Sequence, residues 1–119
     1  VFTKASLAMP KMNNPFLLDD ESKHPMIYGY FLGAMNHIEQ AYQLNEKDKT
    51  TIYTQYLSSN FANDNAEHVT KLLKYSSDLS QEDDNRNYIL VGELAMKKWK
   101  AGGRMAEYAP MGLIRLFND

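Results

Sequence analysis

The 119-residue chain has no cysteine. That absence removes disulfides, thiolate-bound zinc and cysteine nucleophiles in one step, and it leaves the cellular compartment open. Neither sign of charge is in excess. Thirteen Lys and Arg stand against fifteen Asp and Glu, for a net charge of -2 and a pI near 5.9, so nothing pulls the whole molecule toward nucleic acid or anionic lipid. No apolar run approaches the roughly 18 residues that a membrane-spanning helix needs. Gly-x-Ser-x-Gly, the P-loop and Gly-x-Gly-x-x-Gly are missing, which argues against the common hydrolase, nucleotide-triphosphate and dinucleotide architectures. Internal repeats and period-two strand patterns are missing too.

What is present reads as helix. With 44% hydrophobic and 24% charged residues, the composition is that of a folded domain, and residues 1–119 are expected to form one. Proline is concentrated in the stretch 10–25, beside the acidic run Asp19, Asp20, Glu21, so 1–24 read as an arm and loop, pinned over the core by Phe16, Leu17 and Leu18. Residues 25–44 form the central helix. Ile27, Tyr30, Phe31, Ala34, Ile38, Ala41 and Tyr42 make its apolar stripe, its first half is apolar nearly all round, and its second half is amphipathic. Further helices are expected at 46–61, started by Asn45 and Asp48; at 64–77, started by Asp64 and Glu67; and at 80–101, started by Ser80 and Asp83 and ended by Gly102-Gly103. Gly29, Gly33 and Gly92 each cost up to about 1 kcal/mol against alanine in a helix interior. A close crossing of the first and last long helices would recover that cost. The helical core spans 25–103, and the tail 104–119 carries Met111, Leu113, Ile114, Leu116 and Phe117, which demand a docking surface.

Residues able to do chemistry have plain structural alternatives. Glu82, Asp83 and Asp84 at one end of the last long helix, with Lys97, Lys98, Lys100 and Arg104 at the other, complement a helix dipole. The same basic cluster with Trp99 is the one local feature a nucleic acid could use. Glu21 and His24 have Glu-x-x-His spacing but occur once, in a loop, where a di-iron bundle needs two copies on helices. Asp64 and His68 offer two zinc ligands with no third or fourth. Glu39, His37 and Glu93 are the best acid-base candidates, with Glu93 preceding Lys97 by four residues as in a surface ion pair. No metal or cofactor is expected. Eight tyrosines and seven methionines are more aromatic edges and adaptable filler than such a core normally takes, which points to a binding surface.

At Tyr28-Gly29-Tyr30-Phe31-Leu32-Gly33-Ala34-Met35, then Tyr56-Leu57-Ser58-Ser59-Asn60 and Ala66-Glu67-His68-Val69, the chain is similar in spacing to small helical immunity proteins of bacterial type VI secretion systems. The likeness covers residues 28–73. It implies a periplasmic, non-enzymatic protein that plugs a toxin's active site. A removed signal peptide ahead of Val1 would fit that compartment; otherwise the cytoplasm is expected.

The expectation is therefore an all-α bundle of four main helices with an N-terminal arm and a docked C-terminal tail. It binds a protein, as an inhibitor or an assembly subunit, with a second copy of itself among the partners. The expected contact residues are Tyr28, Asn36, His37, Gln40, Tyr53 and Tyr56, on the exposed side of the first two long helices. An acid-base enzyme using Glu39, His37 and Glu93, and a nucleic-acid binder using the Lys97 to Arg104 cluster, are the alternatives.

Overall fold

Pro25 lies in the first turn of the central helix, α1 (His24–Ala41), where its missing N–H leaves no bond unmade. The structure is a computed structural model that describes residues 2, 6–8, 18, 21–61, 65–102 and 111–118. After α1 come α2 (Glu46–Phe61), α3 (Ala66–Gln81), α4 (Arg86–Ala101) and the short α5 (Gly112–Asn118). The protein is a small all-α bundle built on four long helices.

Burial along α1 follows the expected fall from an enclosed start to an emergent end, but Ala41 and Tyr42, expected on the core-facing stripe, are exposed, because the helix has passed beyond its packing partners there. Residues 27–31 and 33–35 are buried, 36–39 are half-buried and 40–43 are exposed. The helix stops at Ala41, short of the expected 44, because Gln43 turns left-handed at φ 52°. The Gln43 N–H then donates to the Gln40 carbonyl and the Leu44 N–H to that of Glu39, the paired bonds of a Schellman cap whose left-handed site normally holds glycine. Gln43→Gly is accordingly expected to stabilise the fold by about 1 kcal/mol, read as a higher urea midpoint. An unchanged or lower midpoint would contradict this account of the cap.

Asparagines start the next two helices. Asn45 Oδ1 accepts the Asp48 N–H at 2.8 Å, and Asn65 Oδ1 accepts the His68 N–H at 3.0 Å. The expected cap residue Asp64 lies outside the described residues. The last long helix begins later than 80: Ser80 ends up in the final turn of α3, its hydroxyl donating back to the Ser77 carbonyl at 2.7 Å. A 3-10 turn, Asp83–Asn85, then leads into α4 at Arg86. Glu82, Asp83 and Asp84 therefore precede α4 and do not occupy its first turn. Gly102 ends α4 at φ 76° and ψ -169°, a backbone region essentially restricted to glycine.

The glycines of α1 and α4 bring backbone against backbone. A methyl group on Gly33 would lie 1.8 Å from the Ile89 carbonyl oxygen, and one on Gly92 would lie 1.7 Å from that of Tyr30. Contacts of Gly29 with Tyr88, of Gly33 with Glu93 and of Tyr42 with Lys100 advance in step, so the two helices run in the same direction. Burying this seam offsets the propensity cost of the glycines.

Two apolar clusters flank α1. Ile27, Tyr30, Phe31 and Ala34 pack with Phe2, Leu7, Ala95, Leu113 and Leu116, so arm and tail are both docked. Phe2 stacks on Tyr30 with centroids 5.9 Å apart and meets Trp99 edge-on at 5.7 Å. On the other side, Tyr28 and Met35 pack with Tyr53, Leu57, Val69, Leu72 and Leu79. Leu18 is half-buried and covers the first cluster. Phe16 and Leu17 lie outside the described residues.

Candidate functional site

Two of the six expected contact residues are not at the surface. Tyr28 is 4% exposed and Tyr53 9%. Tyr53 is held inside because its hydroxyl pairs with the Ser76 hydroxyl of α3 at 2.5 Å, which satisfies its polar tip without water. Tyr28 sits edge-on to Phe61, Tyr75 and His24. The apolar body of each ring decides its place once the hydroxyl is no obstacle. Asn36 and His37 are half-buried, Gln40 is exposed, and Tyr56 is half-buried. Tyr56 lines a recess of about 250 Å³ with Phe2, Phe31, Ala34, Met35, Ile38, Asn60 and Met96.

The acid-base candidates have different surroundings. Burial raises the Glu39 carboxyl above its usual range, Lys49 of α2 works against that shift, and Glu46 adds to it. Glu93 instead lines a groove beside Asn36 and Arg86. No described contact joins Glu39, His37 and Glu93. Lys97, Lys98 and Lys100 are exposed, with the Lys100 Nζ 4.3 Å from the Tyr42 ring centre; Arg104 lies outside the described residues. The His24 Nε2–H donates to the Leu18 carbonyl at 2.9 Å, so this ring ties the preceding loop to α1. Among the described residues no three His, Asp or Glu side chains converge as metal ligands, and no helix is long and apolar enough to cross a membrane.

A second recess lies on the α4 side, a groove between α1 and α4. It measures about 350 Å³ and is lined by Asn36, Ser80, Glu82, Asp83, Arg86, Ile89, Leu90 and Glu93. Leu90, on its rim, is 47% exposed, and Leu94, one turn on, is 55% exposed. No family model, curated protein or solved structure matches the chain. The site is therefore read from its own residues. Tight contact with α1 through Gly92 and Ala95 fixes one face of α4 inward, and the i, i+4 spacing then turns Leu90 and Leu94 outward together. The two leucines belong to the apolar run Tyr88 to Met96, and periodicity alone did not separate them from its buried members. Gln40 follows Asn36 by four residues on the exposed end of α1, so it continues the Asn36 wall beyond the groove.

Proposed function

We propose that the protein acts by binding another protein, without catalysing a reaction. The contact surface combines the groove, the α4 leucines and the emergent end of α1. The observation that carries this reading is the adjacent exposure of Leu90 and Leu94, at 47% and 55%, on a helix whose inward face is already committed to α1. Paired apolar side chains in water lose part of their hydration cost when a partner covers them, at about 25 cal/mol per Å², and an apolar patch rimmed by polar groups is the usual mark of an interaction site. Asn36 on the groove wall and Gln40 one turn on supply adaptable polar contacts beside it, while Tyr56 offers a partly open aromatic edge at the separate recess on α2. An inhibitor of the immunity type and an assembly subunit are both forms of this reading.

A photo-cross-linking amino acid placed at Leu94 or Gln40, in extracts of cells that make the protein, is expected to give adducts of discrete mass. The same residue placed at the exposed Lys47 or Lys74 is expected to give none. Silence at 94 and 40, or equal labelling at all four positions, would remove the protein-binding reading.

A further inference from the structure

We propose that the recess enclosed by the arm, α1, α2 and α4 binds a small, neutral aromatic molecule carrying one hydrogen-bond donor, of the phenol or indole class. This site is separate from the α4 groove and goes beyond the protein-binding reading. The recess has a floor and a mouth. Buried Phe2, Phe31, Ala34 and Met35 make the floor. The half-buried Ile38, Tyr56 and Met96 stand at the mouth with the exposed Asn60. Ala34 is the reason for the space, because it lies between Phe31 and Ile38 on one face of α1, where a longer side chain would fill the gap. The volume, about 250 Å³, exceeds the roughly 150 Å³ that holds a benzene-sized guest in an apolar cavity.

The lining decides the class of guest. All eight lining side chains are uncharged, so an ion entering the recess would surrender its hydration without meeting a counter-charge. Water is held weakly, because the polar groups these side chains offer are the Tyr56 hydroxyl and the Asn60 amide, fewer than the about three hydrogen bonds of a well-ordered buried water. An apolar guest that displaces such water gains affinity. The walls favour a flat ring. Phe2 and Phe31 stand at 89° with centroids 6.3 Å apart, and Tyr56 is tilted 56° to Phe31 at 6.4 Å, so a guest ring meets both faces and edges. The thioethers of Met35 and Met96 adapt to what remains. Asn60 selects the donor: its Nδ2–H donates to the Tyr56 carbonyl one turn back at 2.9 Å, so Oδ1 is the acceptor it keeps for a guest. A phenol or indole seated ring-down brings its O–H or N–H to that oxygen at the mouth.

The full chain with isotope-labelled methionine methyl groups, titrated with phenol, should show saturable shifts of the Met35 and Met96 signals with a dissociation constant on the order of 1 mM. The Met26 signal, from a half-buried residue of α1 outside the recess, should stay in place. Toluene should bind more weakly than phenol, and benzoate should move neither signal. Ala34→Leu, checked for folding by circular dichroism, should abolish the shifts. Asn60→Leu, at an exposed position that keeps the test open even if Ala34→Leu does not fold, should weaken phenol by about three- to tenfold and leave toluene no weaker. Absence of saturable shifts up to the solubility of phenol, equal shifts at Met26, or phenol binding untouched by a folded Ala34→Leu would overturn the site. Benzoate binding as tightly as phenol, or Asn60→Leu failing to separate phenol from toluene, would overturn the class of guest.

Discussion

Replacing Gly33 or Gly92 by alanine is expected to destabilise the fold by about 2–4 kcal/mol, although alanine is the better helix former by up to about 1 kcal/mol. The reason is what the new methyl group meets. At Gly33 it would lie 1.8 Å from the Ile89 carbonyl oxygen and at Gly92 1.7 Å from that of Tyr30, where ordinary contact is about 3.4 Å or more. A flexible side chain could move aside, but a carbonyl in the middle of a hydrogen-bonded helix cannot. The helices must part by more than an ångström, and the apolar contacts along the seam are diluted with them. Thermal unfolding of each variant should start roughly 10 °C lower, given a few degrees per kcal/mol for a domain of this size. The two substitutions act on one crossing. Separation forced by the first relieves most of the clash of the second, so the double variant should cost clearly less than the sum of the singles. Gly29→Ala is the milder control, because the atom it meets first is the Tyr88 Cβ at 2.9 Å and not a carbonyl oxygen below 2 Å. A midpoint raised by either Gly33→Ala or Gly92→Ala would mean that α1 and α4 do not touch as described.

That seam was legible because mid-helix glycines carry a cost that only close packing returns, and Gly29, Gly33, Gly92 and Ala95 fall on the two most apolar helices. The gradient from enclosed Ile27 to exposed Gln43 was legible for a similar reason: polar residues accumulate only after Met35. Where the pattern was ambiguous, three-dimensional context decided. Ser80 and Asp83 have the spacing of a cap, but the Ser80 hydroxyl was claimed by the Ser77 carbonyl, so α4 waits until Arg86. Tyr28 and Tyr53 read as surface tyrosines because the acceptor that lets Tyr53 turn inward, Ser76, is 23 residues away in sequence. A serine in the apolar stripe Val69, Leu72, Leu73, Ser76 was the available hint that a polar tip comes in to meet it. Leu90 and Leu94 could not be assigned to the surface from a segment apolar on nearly every side, since the number of neighbours a helix has is a property of the whole bundle. The groove beside them was invisible for the same reason, because its walls come from α1, the end of α3, the 3-10 turn and α4.

The buried tyrosines make the fold alkali-sensitive in a way the chain's composition does not reveal. Burial pushes the phenols of Tyr28, Tyr30 and Tyr53 from 10.0 up to about 12; Tyr75 adds to the shift at Tyr28, while hydrogen bonds from Ser6 and Ser76 partly oppose it at Tyr30 and Tyr53. Between pH 10 and 12 the unfolded chain releases protons that the folded chain keeps, so stability falls as pH rises. The contribution of each phenol is fully present below pH 10 and lost as pH passes 12. Two pH units correspond to roughly 2–3 kcal/mol for each of Tyr30 and Tyr53, and Tyr28, bordering the half-buried His24 and Tyr75, adds less. Together these are a large part of the 5–15 kcal/mol that typically holds a domain folded. The molecule is therefore expected to unfold before the three phenols reach their own midpoints. Monitored together, tyrosinate absorbance and helical circular dichroism should show one group of tyrosines ionising ahead of any structural change and the buried three appearing only with helix loss. Tyr53→Phe should shift the unfolding transition to higher pH, because its ring remains buried while the ionisable hydroxyl is gone. If all the tyrosinate signal developed while the helices stayed intact, the burial of Tyr28 and Tyr53 between α1, α2 and α3 and of Tyr30 among the arm, α4 and α5 would be refuted.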